Sequence, residues 1–170
     1  MHEYAITILG RDRPGIIAEA TAILAGLGLN LTDSTMTRLR GHFAMTLVCA
    51  GEPAAAEVER AVGPMGADLV VTVRELGPEP EPEPAGGHYV LRLHGADRLG
   101  IVAAVTGILA DVGGNITDLT TRLAGDLYVL VAEVDLPSTV EIETVTARLD
   151  AAAGELGVDA ALRPAEVDVL

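Results

Sequence analysis

A chain of 170 residues, 49% hydrophobic and 2% aromatic, is long enough for one or two small domains, and it is too apolar to be disordered. Its formal net charge of −14, with eleven basic residues and no run of them, excludes a direct binder of the nucleic-acid backbone, which needs clustered cations. The one cysteine, Cys49, excludes an internal disulfide, and no apolar run approaches the length that spans a bilayer.

One stretch occurs twice. Residues 10–33 and 95–118 are identical at fourteen of twenty-four positions, at a constant offset of 85. A repeat of this size implies two domains of the same architecture.

Tyr4 to Leu9 is a short β-branched and apolar run, predicted as a strand. Gly10 to Gly15 is a turn. Ile16, Ile17, Ala20, Ile23, Leu24 and Leu27 then form one stripe of an amphipathic helix. Pro14 suits the first helical position, where its missing N–H has no intrahelical partner, and Gly28 suits a left-handed stop. Asn30 to Arg40 and His42 to Ala50 form a hairpin about Arg40-Gly41. Ala54 to Met65 is helical, after Pro53. Asp68 to Glu75, with Leu69, Val71 and Val73 alternating, closes the unit.

Gly77 to Gly87 alternates Pro and Glu, which reads as an extended spacer of the polyproline type. The second unit then repeats the first. Tyr89 to Leu93 is a strand, and Ile101, Val102, Val105, Ile108, Leu109 and Val112 reproduce the helical stripe before Gly113-Gly114. Asn115 to Leu123 and Leu127 to Val134 form the hairpin. One residue is missing between Asp118 and Thr121 relative to the first copy, so the local offset becomes 84. A helix over about Val140 to Leu156 and a strand from Val158 to Leu162 complete the chain.

The order strand, helix, strand, strand, helix, strand predicts an α+β fold. Each of two ferredoxin-like βαββαβ domains has an antiparallel four-stranded sheet with helices on one face. The expected boundaries are 1–76 and 88–170, with 77–87 as the linker. Leu127 to Ala132 is apolar at every position, which reads as a strand covered on both faces. The sister domain or a second chain must supply the second cover, and a homodimer is expected.

The turn carries the chemistry. A helix that starts straight after a strand leaves N–H groups unpaired at the positive end of its dipole, a fit for a carboxylate. Gly15 and Gly100 allow close approach to the backbone. Asn30 and Asn115 offer amides, and Asp33 and Asp118 offer negative groups for an ammonium. Together these features are complementary to a free amino acid. Asp12 and Asp97 are equally suited to capping the helices, and Arg13 and Arg98 to pairing with nearby acids.

Asp12-Arg13-Pro14-Gly15-Ile16 followed by Asn30, within a βαββαβ unit, resembles the ACT domain. That family comprises small regulatory modules that commonly bind amino acids at interfaces between paired domains. Two copies with little else are similar to tandem-ACT proteins of the glycine cleavage system transcriptional repressor type. The resemblance implies a ligand site at Asp12, Arg13, Pro14, Gly15 and Ile16 with Asn30. In the second copy it implies Asp97, Arg98, Leu99, Gly100 and Ile101 with Asn115. It also implies side-by-side pairing of sheets. Leu99 stands where the first copy has Pro14, so the second turn departs from the pattern.

The same motif occurs at the front of formyltetrahydrofolate deformylases, but no catalytic domain follows it here. His2, His42, His88 and His94 lack metal-ligand spacing, and no phosphate loop is present. The expectation is a non-catalytic protein with no cofactor. It would be cytoplasmic, since Met1 to Tyr4 shows no signal peptide, and any effect on transcription would pass through a protein partner. The other reading is a ligand-independent interaction module.

Overall fold

In a computed structural model, residues 1–65, 68–78 and 85–165 are described. The chain divides into two compact units, Met1–Pro80 and Glu81–Leu170. The Pro/Glu stretch at 79–84 lies outside the described residues.

In the first unit, β1 (His2–Arg11), α1 (Ile16–Gly26), β2 (Asn30–Leu39), β3 (His42–Gly51), α2 (Ala55–Val62) and β4 (Leu69–Glu75) follow in order. The second contains β5 (Ala85–Ala96), α3 (Ile101–Asp111), β6 (Asn115–Ala124), β7 (Leu127–Pro137), α4 (Ile142–Leu156) and β8 (Val158–Pro164). The strands pair antiparallel in the orders β2-β3-β1-β4 and β6-β7-β5-β8. This is the ferredoxin-like arrangement that the element order predicts. β5 begins at Ala85, four residues before the expected Tyr89 and inside the stretch read as spacer.

Alternation along the strands builds each core. Tyr4, Ile6 and Ile8 of β1 and Phe43, Met45, Leu47 and Cys49 of β3 bury against Ile16, Ala20 and Leu24 of α1 and Val58 and Val62 of α2. The second core joins Leu91, Leu93, Leu130, Ala132 and Val134 to Val105, Leu109, Val145 and Leu149. The first six residues of β7, Leu127 to Ala132, are all apolar, yet only the inward ones are fully buried. Leu127 stays 47% exposed, and Val129 and Val131 are half-buried on the face away from the helices.

The register corrects one sequence expectation. Both hairpins close over two residues, with Leu39 opposite His42 and Ala124 opposite Leu127, so the offset of 85 holds through the hairpin. Nothing is deleted from the second hairpin. Both outer strands also carry a bulge at the same place, Thr32 and Thr117. The similar Thr-Arg-Leu stretches sit one residue out of step on equivalent backbones. Arg38 therefore lies opposite inward Phe43, whereas Arg122 lies opposite outward Val129.

Buried Tyr4 donates its hydroxyl to the Pro53 carbonyl at 2.6 Å. Burial pushes the Cys49 thiol above its ordinary 9.0. Burial, then the charges of Glu75 and Cys49, push the Tyr4 phenol above its ordinary 10.0. The unfolded chain therefore sheds these protons first as pH rises. The contribution to stability is complete below the ordinary values and is lost as pH climbs through the raised ones. The first unit is expected to weaken above about pH 9, and Tyr4→Phe with Cys49→Ala to flatten that limb. Urea unfolding followed across alkaline pH checks this; equal slopes in the wild type and the double variant would refute it.

Candidate ligand site

The strand-to-helix turns are built alike. Gly15 has φ +91° and Gly100 has φ +92°, both left-handed, and each is the residue that caps its helix. A Cβ added at either would meet nothing within 4 Å. The glycines are thus required by backbone conformation, not by packing against a strand. The helices start at Ile16 and Ile101, so Pro14 precedes the helix by two residues instead of opening it. Asp12 and Asp97 cap neither helix, since no side chain does.

The first intrahelical bonds run from Glu19 N–H to the Gly15 carbonyl and from Ala104 N–H to the Gly100 carbonyl, each at 2.9 Å. The N–H groups of residues 16–18 and 101–103 precede those bonds and face out of the helix end. Each turn borders an open cleft. The first, of about 440 Å³, is lined by Asp12, Arg13, Gly15, Ile16, Ile17, Ala18, Met36 and Phe43. The second, of about 610 Å³, is lined by residues 97–103 and Tyr128.

Electrostatically the two clefts have diverged. Arg13 donates to Glu19 at 2.7 Å and to the Met65 carbonyl at 3.0 Å, while Asp12 faces Arg38 at 3.5 Å. In the second unit Ala104 stands at the position of Glu19, and α3 has no acid in its first turn. Among the described residues Arg98 forms no ion pair; it lies beside the backbone of Gly157.

The clefts do not gather every residue that the sequence singles out. Asp12, Arg13, Gly15 and Ile16 come together, as do Asp97, Arg98, Leu99, Gly100 and Ile101. Pro14, Asn30 and Asn115 line neither cleft. Asn30 lies opposite Ala50, at the far end of β3 from Phe43, roughly 20 Å along the strand. Asn115 lies opposite Asp135, which pairs with His88 at 2.6 Å. Sequence reasoning missed Phe43, Met36 and Tyr128 as walls. It also counted Ile17 as core, whereas Ile17 is 42% exposed beside the cleft. The hairpin register held the missing signal, because Phe43 and Tyr128 fall opposite Gly10 and Gly95.

Comparison with known proteins decides the family. A family model of the ACT domain matches residues 3–75 and again residues 88–162. The chain belongs to the ACT domain family. This ACT protein is 37% identical to a UPF0237 protein of Methanopyrus kandleri over 79 residues, 46% of the chain and 88% of that relative. It is 27% identical to the glycine cleavage system transcriptional repressor of Escherichia coli over 124 residues, 71% of the chain and 65% of the repressor. A solved structure of an unknown protein from Galdieria sulphuraria superposes with a TM-score of 0.83 at 27% identity, covering 96% of this ACT protein and 98% of the other chain. Among its described residues no helix is long and apolar enough to cross a membrane.

Proposed function

We propose that this tandem-ACT protein is a non-catalytic regulator. In this reading a free amino acid binds at the strand–helix turns, at interfaces between paired ACT domains. The observation that carries it is the separation of the two halves of the motif. Within one unit the turn and the asparagine lie at opposite ends of the sheet. A site using both draws the turn from one ACT domain and the asparagine from another. Helix-end N–H groups then receive the carboxylate, and Asn30 or Asn115 the ammonium. The kinship with a transcriptional repressor supports a regulatory role, and the acidic composition supports action through a protein partner. The reading includes a homodimer, two domains at about 1–76 and 88–170 joined by the 77–87 stretch, of which residues 85–87 belong to β5, and a cytoplasmic location.

A thermal-shift screen against the twenty free amino acids tests it. A ligand that binds only the folded state raises the melting temperature by mass action. Gly15→Asn and Gly100→Asn are the informative variants, because Asn tolerates the left-handed backbone and places its side chain in the open space before the helix end. One or two amino acids are expected to shift the wild type and not the double variant. No shift at millimolar ligand would favour the ligand-independent module.

A further inference from the structure

The helices of the second unit cover one side of its sheet, and the other side carries an unusual row. Arg92 of β5 lies between Val131 of β7 and Ala161 of β8. The equivalent row of the first unit is Thr7 between Thr46 and Thr72. The same backbone thus presents small polar side chains in one copy and an apolar floor with an arginine in the other. Val90 and Val129 extend that floor, and Arg163 stands opposite Val90, diagonal to Arg92. The depression over these residues has a volume of about 750 Å³.

Charge makes the row more unusual still. All eleven basic residues of the chain are arginine, and the second unit holds five of them against fifteen acidic residues. Arg148 is paired with Asp111 at 2.6 Å. Arg92 and Arg163 form no ion pair or hydrogen bond among the described residues. Two guanidiniums without carboxylates, in a unit so rich in carboxylates, leave a local positive site on an acidic molecule. The two acids nearest on this face are engaged with histidines: Asp159 faces His94 at 3.9 Å, and Glu133, opposite Val90, faces His88 at 3.7 Å.

We infer that this sheet face docks an acidic amphipathic helix of a partner protein. The valine floor takes the apolar stripe, and Arg92 and Arg163 take carboxylates. Diagonal neighbours on a sheet stand roughly 7–8 Å apart, within guanidinium reach of acids one turn apart on a helix. A helix laid on it would add a layer to the side of the sheet away from its own helices. The inference stands apart from the turn clefts and survives if no amino acid binds there.

The test uses the full chain labelled for NMR and two synthetic helical peptides. One carries a leucine stripe flanked by Glu at i and i+4; the other has Lys in place of every Glu. The acidic peptide is expected to shift the amides of Val90, Arg92, Val131 and Ala161, and the Lys peptide to leave them unmoved. Arg92→Ala with Arg163→Ala should weaken binding by about tenfold, with an unchanged circular dichroism spectrum. The paired first-unit controls Thr7→Ala and Thr72→Ala should bind as the wild type does. Equal binding of both peptides, no shift at millimolar acidic peptide, or full affinity in the arginine double variant would overturn the inference. So would a dimer in sedimentation velocity that Val131→Asp dissolves, since the face would then belong to a second copy.

Discussion

Gly10→Ala is expected to destabilise the first unit by about 3 kcal/mol, far more than Gly15→Ala five residues later. A Cβ at position 10 would stand 2.0 Å from the Asp68 carbonyl oxygen, a backbone atom that cannot swing aside. β1 and β4 pair there, Gly10 opposite Leu69, so relief requires the two strands to part. At Gly15 a Cβ meets nothing, and the cost is only that of holding an L-residue at positive φ, about 1–2 kcal/mol. For a unit of this size the Gly10 variant should melt roughly 10–20 °C lower. Thermal unfolding of the two variants, followed by circular dichroism, checks the ranking. A Gly10→Ala protein as stable as Gly15→Ala would mean that the strands are not so closely apposed.

Leu130→Ala is the second large effect. Leu130 is fully buried on β7, between β6 and β5 and beneath the helices. Truncation removes its burial and leaves a cavity, for a loss of about 2–5 kcal/mol. The adjacent Val131→Ala, on the face away from the helices, should cost well under half of that, since Val131 is only half-buried. The two cores share no residue, so the loss should be confined to the second unit. Native-state hydrogen exchange resolves this, with weakened protection expected across β5, β7 and β8 and unchanged protection in β1 and β3. Uniform weakening across both units would show that they unfold as one.

These contrasts show where sequence reasoning carries and where it stops. Alternation in Tyr4-Ala5-Ile6-Thr7-Ile8 and the stripe Ile16, Ala20, Leu24 were legible because each depends on neighbours a few residues away. The turn glycines were legible because the motif repeats. Which side of β7 faces the helices was not, since an apolar run says nothing about which layer covers it. Pro14 misled for a related reason. Proline suits the first helical position in general, but a left-handed glycine had to reverse the chain first and took the capping place. Asn30 lies only fifteen residues from Gly15 in sequence, yet α1 carries the chain the length of the sheet between them. Phe43 and Tyr128 entered the clefts through strand pairing, which no local pattern announces.

The placement of the first strand in each unit bears on synthesis. β1 lies between β3 and β4, and β5 between β7 and β8. Neither sheet can close until its last strand has left the ribosome, so each unit folds late within its own span of chain. Across the whole chain the order reverses. β4 is complete before β5 has been made, so the first unit can bury its core while the second is still in the exit tunnel. Two neighbouring stretches that match at fourteen of twenty-four positions would invite a strand of one copy into the sheet of the other. Folding one copy before the other exists removes that hazard.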